Sequence, residues 1–128
     1  MSAFKPDGYP AVAPYLVVPG APAVIDFAIK VFDATELRRY DGPDGSVTHA
    51  EVRIGDSVVM IGEAGEQWPA IPTFLHVYVA DVDATYRRAL DAGGVSVQAP
   101  VRKGDEDKRG GVRDPGGNTW WIATQGKE

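Results

Sequence analysis

The sequence contains no cysteine among its 128 residues. This absence excludes disulfide bonds, thiolate metal sites and thiol nucleophiles, and it fits a reducing cytoplasm. No apolar run approaches the roughly 20 residues that a membrane-spanning helix needs. The first ten residues also lack the pattern of a signal peptide. We therefore expect a cytoplasmic protein with no membrane partner.

Basic residues are too few to outweigh the acidic ones. Lys and Arg number 13 against 18 Asp and Glu, which gives a net charge of −5 and a pI of about 4.9. Nucleic acids and acidic membrane surfaces are bound through basic patches, so neither is an expected partner. The acidic balance permits a cationic ligand. Apolar residues make up 44% of the chain, which is enough for a single domain over 1–128 to bury a core.

One pattern of strand, turn and helix occurs twice along the chain. A shift of 61 positions carries Val18 onto Val79, and the repeat continues at this shift with no gap. We interpret the chain as two tandem modules, module one over about 11–62 and module two over about 73–124, with a linker over 63–72.

Periodicity predicts a β-α-β-β-β order in each module. An apolar stripe at helical spacing predicts a helix over Ala21–Phe32, and Asp81 is a natural N-cap for the second helix. The charged, glycine-rich run Arg102–Gly111 is expected to be a solvated hairpin loop, with a mobile lid as the alternative. Trp68 in the linker packs either over a cleft or over a neighbouring strand. The predicted fold class is α+β, with the two modules forming a curved mixed sheet that encloses a cleft.

Strand alternation places a set of aromatic and polar side chains on the cleft side of the sheet. Aromatic walls with a few polar groups are typical of a small-molecule site. The predicted ligand-binding residues are Tyr15, His49, Met60, Phe74, His76, Tyr78 and Trp121, with Glu51 beside His49 on the same strand.

Three of the polar side chains are candidates for catalysis. His49 and Glu51 lie two positions apart on one strand, so they form either a proton-transfer pair or a hydrogen-bonded couple without a reaction. His76 is either a further member of the site or a hydrogen-bonded strand residue. Two histidines and a glutamate are also a known zinc set, which leaves a replacement metal site as a third possibility.

The stretches APYLVV, AVIDF, HAEVRIGDSVVMIG, LHVYVADVDATYRRALDAG and RDPGGNTWWIAT resemble the glyoxalase/bleomycin-resistance, or vicinal oxygen chelate, superfamily. The resemblance implies a homodimer and, in metal-dependent members, one ligand near the start and one in the last strand of each module. Those four positions fall on Ala13, Met60, Phe74 and Trp121, whose side chains do not suit a divalent ion. We therefore expect neither the family metal nor another cofactor.

Three hypotheses of function remain open on the sequence. The first is a metal-free protein that binds an aromatic or cationic compound, such as an antibiotic to be sequestered, in an aromatic cleft. The second is a lyase, isomerase or glyoxalase-like enzyme with an altered site around His49, Glu51 and His76. The third is a structural domain whose cleft is filled by its own side chains. The sequence identifies no ligand, and it leaves open whether the cleft forms within one chain or across a dimer.

Overall fold

The computed structural model describes residues 4–104 and 106–126. Within these residues the chain forms two helices and eight strands. The elements are β1 (Tyr15–Val18), α1 (Ala21–Phe32), β2 (Thr35–Asp41), β3 (Val47–Ile54), β4 (Ser57–Glu63), β5 (Phe74–Tyr78), α2 (Val82–Asp91), β6 (Val95–Arg102), β7 (Asp107–Arg113) and β8 (Thr119–Gln125). Neither helix of this described part is long and apolar enough to cross a membrane.

Each module forms its own four-stranded mixed sheet. The strand order is β1-β4-β3-β2 in module one and β5-β8-β7-β6 in module two. In both sheets the first strand pairs in parallel with the last one, and the other neighbours pair antiparallel. The α+β class and the paired β-α-β-β-β architecture are therefore confirmed, with the strands divided between two sheets.

Helix α1 has the predicted bounds and lies at the centre of the core. Because it is covered by its own sheet and by module two, seven of its twelve residues are buried. The Arg88 guanidinium of α2 donates to the Val31 carbonyl oxygen at 3.0 Å, and the rings of Phe32 and Trp120 lie 4.8 Å apart. The buried cluster accordingly contains residues of both modules.

The two helices begin in different ways. Asp81 is the N-cap of α2, as predicted, and its carboxylate accepts from the Ala84 N–H at 3.2 Å. The N-terminus of α1 is held instead by Glu63 at the end of β4, whose two carboxylate oxygens accept from the N–H groups of Gly20 and Ala21 at 2.8 Å each. In module one the last strand therefore fixes the start of the helix.

The prediction of a gapless repeat is wrong in the middle strands of the modules. Tyr15 pairs with Met60 and His76 pairs with Trp121, which agrees with a shift of 61. However, Met60 also faces Glu51, whereas Trp121 faces Gly111, so β3 and β7 correspond at a shift of 60. Counted from the start of the helix to the start of the next strand, module two is one residue shorter, since Val82 to Val95 replaces Ala21 to Thr35. Counted between the paired positions of the last two strands it is one residue longer.

The prediction of a solvated hairpin loop over Arg102–Gly111 is wrong in its extent, although β6 and β7 do pair as an antiparallel hairpin. Strand β6 continues to Arg102, and β7 begins at Asp107, which is only 7% exposed. Glycine is required at 111 because a Cβ there would lie 2.7 Å from the Trp121 ring. Close approach of a neighbouring ring, rather than a turn, explains this glycine in the strand.

Candidate functional site

The predicted site residues lie on the sheet surfaces that point away from the helices. Alternation along the strands turns Leu16, Ala50 and Ile61 into the core, so their neighbours point outward. We call Tyr15, His49, Glu51 and Met60 the module-one face. We call Phe74, His76, Tyr78, Asp107, Arg109, Gly111 and Trp121 the module-two face. None of the hydrogen bonds described next joins one face to the other.

A chain of hydrogen bonds crosses the module-one face. The Tyr15 hydroxyl lies 3.0 Å from His49 Nδ1, and His49 Nε2 lies 2.7 Å from Glu51 Oε2. Tyr15 reaches β3 from β1 across Gly62 of the intervening strand, where a Cβ would lie 3.0 Å from its hydroxyl oxygen. The structure thus brings His49 and Glu51 together and adds Tyr15 to them.

The other end of this chain is covered by the N-terminal arm. The Tyr9 hydroxyl donates to Glu51 Oε1, and the Arg38 guanidinium lies over the Tyr9 ring at 5.6 Å. Glu51 is consequently only 3% exposed. Nothing in the irregular sequence of the arm indicates this role of Tyr9, because the contact joins residues 42 positions apart.

The charge of Glu51 determines which nitrogen of His49 carries hydrogen. Burial alone would raise the pKa of the Glu51 carboxyl, but the hydrogen bonds from His49 and Tyr9 lower that pKa below its ordinary value. An ionised carboxylate only accepts hydrogen bonds, so His49 Nε2 donates to it. In neutral His49 this leaves Nδ1 as an acceptor, to which the Tyr15 hydroxyl donates. The hydrogen bond of Tyr9 to the carboxylate in turn raises the pKa of Tyr9.

A second polar network occupies the module-two face. The Tyr78 hydroxyl and Arg109 Nη2 both donate to Asp107 Oδ2, at 2.7 and 2.8 Å. Arg109 Nε donates to His76 Nε2 at 3.1 Å. Burial, followed by the positive charge of Arg109, lowers the pKa of His76, although Asp107 opposes this. Asp107 and Arg109 were missed from sequence because they lie in the run predicted to be a loop.

The three catalytic candidates are not collected at one place in the chain. His76 belongs to the module-two network, whereas His49 and Glu51 bond to each other on the module-one face. Among residues 4–104 and 106–126, no group of three or more histidine, aspartate and glutamate side chains is arranged to hold a metal ion. The replacement metal set that the sequence allowed is therefore not assembled within one chain.

An open cavity of about 690 Å³ adjoins the module-one face. Its walls come from β1, the start of β3, the end of β4 and the linker, and are formed by Tyr15, Val17, Ser46, Thr48, Gly62, Glu63, Ala64 and Trp68. Trp68 is 71% exposed and Tyr15 is 49% exposed. The sequence left open whether Trp68 packs over a cleft or over a neighbouring strand, and in the structure it lies at the wall of this cavity.

Another open cavity, of about 730 Å³, lies between the modules. It is bordered by the end of α1, by the turn between β3 and β4, and by β5. Phe74, His76 and Tyr78 of the module-two face contribute to its wall. Phe74 is 77% exposed and Tyr78 is 63% exposed, so this edge strand presents aromatic rings at the surface.

The order of the strands, the paired modules and the outward aromatic faces define a class of proteins built from two β-α-β-β-β units. The chain belongs to the Glyoxalase/Bleomycin resistance protein/Dioxygenase superfamily, whose family model matches residues 10–122. An uncharacterized protein of Mycobacterium bovis is 38% identical over 130 residues, which cover 93% of this chain and 86% of that protein.

Solved structures share the fold at lower identity. TioX from Micromonospora sp. ML1 has a TM-score of 0.72 and 24% identity, over 93% of this chain and 98% of that chain. The fosfomycin resistance protein FosX from Mesorhizobium loti has a TM-score of 0.65 and 17% identity, over 90% and 91% of the two chains. At this level of identity the similarity shows a shared fold, and it does not indicate a shared substrate.

The residues at the superfamily's four metal-ligand positions do not fit a metal ion. Ala13 precedes β1, Met60 lies in β4, Phe74 opens β5 and Trp121 lies in β8. They supply a methyl group, a thioether, a phenyl ring and an indole, whereas divalent ions in proteins take imidazole, carboxylate or thiolate ligands.

Proposed function

We propose that the protein binds a small aromatic or cationic compound, without a metal ion, in the cavity on the module-one face. The observation that carries this proposal is the pair of exposed rings, Tyr15 and Trp68, on the wall of a cavity of about 690 Å³. Aromatic faces attract planar rings and cations, at about 0.5–2 kcal/mol for a good contact. The open cavity supports a binding site over a cleft filled by its own side chains.

The polar groups around this cavity can orient a bound ligand by hydrogen bonds, but they do not include a free carboxylate to pair with a cationic ligand. Thr48 and Ser46 offer hydroxyl groups at its wall. The Glu63 carboxylate also lines it, but both of its oxygens already accept from backbone N–H groups at the start of α1. Stacking is thus the main source of affinity in this proposal, and sequestration of an aromatic antibiotic is the use that it best supports.

We also propose that a second copy of the chain completes the site. Strand β5 lies at the edge of its sheet and presents Phe74 and Tyr78, which are 77% and 63% exposed. Exposed apolar patches beside a strand edge are typical of interaction surfaces. A homodimer would cover these rings and place the module-two face of one copy near a module-one face.

The binding proposal is tested by a ligand screen that follows melting temperature and tryptophan fluorescence. The panel includes 2-naphthol as a neutral aromatic and N-methylquinolinium as an aromatic cation, each with EDTA and with added Zn²⁺. We expect a hit that binds equally in EDTA and loses about tenfold in affinity in Trp68→Ala, as is usual for a central aromatic contact. Phe4→Ala, which removes a ring that is 90% exposed outside the cavity, is the control.

Two outcomes would contradict the binding proposal. One is a panel in which no compound shifts the melting temperature or the fluorescence. The other is binding that appears only with Zn²⁺, which would require a metal site that these side chains do not supply.

The homodimer is tested separately, by sedimentation velocity. Phe74→Asp is expected to give a monomer, whereas Val101→Asp, at a residue that is 38% exposed on the opposite edge strand, is expected to leave the dimer intact. A wild-type monomer at all concentrations would refute this part of the proposal and leave the binding part standing.

A further inference from the structure

The hydrogen-bonded chain on the module-one face has the composition and order of a relay that activates a hydroxyl group. A hydroxyl, an imidazole and a carboxylate follow one another, with distances of 3.0 Å from Tyr15 to His49 and 2.7 Å from His49 to Glu51. Nucleophiles and proton-transfer groups in enzymes are recognised by this arrangement, in which the base is itself oriented by a third group.

The exposure of the three residues increases from the carboxylate to the hydroxyl group, as such a relay requires. Glu51 is buried, His49 is half-buried, and Tyr15 is 49% exposed at the wall of the module-one cavity. The carboxylate is thus protected from water, and the hydroxyl is accessible to a ligand. The module-two network differs, since its histidine accepts a hydrogen bond from Arg109, a group that cannot take up a proton.

We propose that Tyr15 is a catalytic general acid–base group, activated by His49 and Glu51, that transfers a proton to and from a ligand with a weakly acidic C–H or O–H hydrogen. Its use on a ligand rests on binding in the module-one cavity, as proposed above. The activation of the hydroxyl does not depend on any ligand.

The proton path conserves the total charge of the ligand and the relay. The Tyr15 oxygen takes the proton of the ligand while its own hydroxyl proton passes to His49 Nδ1. The electron pair of the broken bond stays on the ligand, which becomes an anion. The imidazolium formed at His49 is balanced by the Glu51 carboxylate 2.7 Å away. Return of a proton from Tyr15 to another atom of the anion isomerises the ligand and restores the relay.

The roles of the three residues follow from this path. Tyr15 is the only one of them at the cavity wall, so it is the group that touches the ligand. His49 takes the hydroxyl proton, and Glu51 is a positioning residue that fixes the tautomer of His49. Tyr9 is also a positioning residue, because its hydrogen bond holds the other oxygen of Glu51.

The first test measures the reactivity of Tyr15 with N-acetylimidazole, so it needs no identified ligand. The Tyr15 oxygen attacks the acetyl carbon, its proton passes to His49 Nδ1, and the bond from the acetyl carbon to imidazole breaks. The leaving imidazole keeps the electron pair and takes up that proton. Mass spectrometry of peptides then gives the rate of acetylation at each tyrosine.

Tyr40 is the matched internal control for this rate. It is 55% exposed and its ring also lies against His49, with the ring centroids 5.9 Å apart. We expect Tyr15 to react at least about tenfold faster than Tyr40, and Glu51→Gln to remove most of this difference without changing the rate at Tyr40. Equal rates in the wild type, or a Tyr15 rate that Glu51→Gln leaves unchanged, would overturn the proposal.

The second test determines the tautomer of His49 in the wild-type protein. The chain has 2 histidines, so the imidazole ¹⁵N signals of His49 are assigned by comparison with His76→Asn. We expect neutral His49 to carry its hydrogen on Nε2. A hydrogen on Nδ1 would make His49 the donor to Tyr15 and overturn the proposal, whereas a failed ligand screen would refute binding alone.

Discussion

At equivalent positions of the two modules, Tyr15 bonds to His49 on one face and His76 bonds to Arg109 on the other. The strand pairing relates these pairs, since Tyr15 corresponds to His76 in the first strand and His49 to Arg109 in the third. One pair ends in a buried carboxylate, that of Glu51. The other contains a permanent positive charge. Equivalent strand positions of the two modules therefore have side chains of different chemistry.

The residue opposite each pair explains part of this difference. Met60, an unbranched side chain, is the strand partner of Glu51 in module one. Trp121 occupies the equivalent place in module two, and its ring lies where a side chain at Gly111 would stand. A carboxylate at position 111 is therefore sterically excluded, and the polar groups of module two lie further along β7, at Asp107 and Arg109.

Of the changes that distinguish the two modules, removal of the Glu51 carboxylate should have the largest effect on stability. Glu51→Ala leaves the half-buried hydrogen-bonding groups of His49 and Tyr9 without their charged acceptor, so we expect the free energy of unfolding to fall by about 2–3 kcal/mol. Urea denaturation measures this. Glu36→Ala, which removes an ion pair to Arg39 at 3.4 Å near the surface, should cost under about 0.5 kcal/mol. Equal losses of stability in the two variants would show that the hydrogen bonds of Glu51 do not stabilise the module-one face.

Adding a side chain to module two should have the next largest effect. Gly111→Ala places a Cβ 2.7 Å from the Trp121 ring, so we expect a loss of about 1–3 kcal/mol from overpacking. Gly65→Ala, at a position with no atom within 4 Å of the new Cβ, should change stability by under about 0.5 kcal/mol. If Trp121→Ala in the same chain does not relieve the cost of Gly111→Ala, the steric explanation is wrong.

The helix starts offer a smaller contrast between the modules. Glu63→Ala removes two hydrogen bonds to the first N–H groups of α1, and we expect a loss of about 1.5 kcal/mol from these charged contacts. Asp81→Ala removes a local N-cap and should cost about 1 kcal/mol. Thermal unfolding of both variants measures the difference. A smaller cost for Glu63→Ala than for Asp81→Ala would contradict the role given to the last strand of module one.

The smallest expected effect is a difference in the response of the two faces to pH. The pKa of His76 is lowered by burial and Arg109, so the unfolded chain binds this proton more readily, and stability is lost as pH falls below the ordinary value of 6.5. The pKa of Glu51 is lowered as well, so its stabilisation is lost only as pH falls below 4.5.

Stability measured in urea from pH 7 to 5 tests the first part of this expectation. His76→Asn should flatten the pH dependence in that range, because asparagine does not titrate. Glu51→Gln should leave the range from pH 7 to 5 unaltered and flatten the dependence below pH 4.5. An unchanged slope in His76→Asn would show that this histidine does not contribute to acid sensitivity.

The fold followed from the sequence where local signals agree with one another. The apolar stripe of α1 and the N-cap at Asp81 mark the helices, and alternation along β3 separates His49 and Glu51 from the core. These features depend on spacing within one element. For that reason a single sequence was enough to predict them.

The parts of the site that escaped prediction depend on contacts between distant elements. Tyr9 meets Glu51 from an arm without periodicity. Asp107 and Arg109 lie in a run whose charges and glycines are typical of a loop, and only the ring of Trp121 explains why Gly111 lies in a strand. The separation of His76 from His49 likewise depends on how the two sheets are placed, which local patterns do not encode.

The central claim is that the ligand site is the aromatic cavity on the module-one face and needs no metal. The most direct measurement is a calorimetric titration of wild type, Trp68→Ala and Phe4→Ala with a hit from the screen, after treatment with EDTA. We predict full binding in the wild type and in Phe4→Ala, with affinity about tenfold weaker in Trp68→Ala. Loss of wild-type binding in EDTA, or unchanged affinity in Trp68→Ala, would contradict the claim.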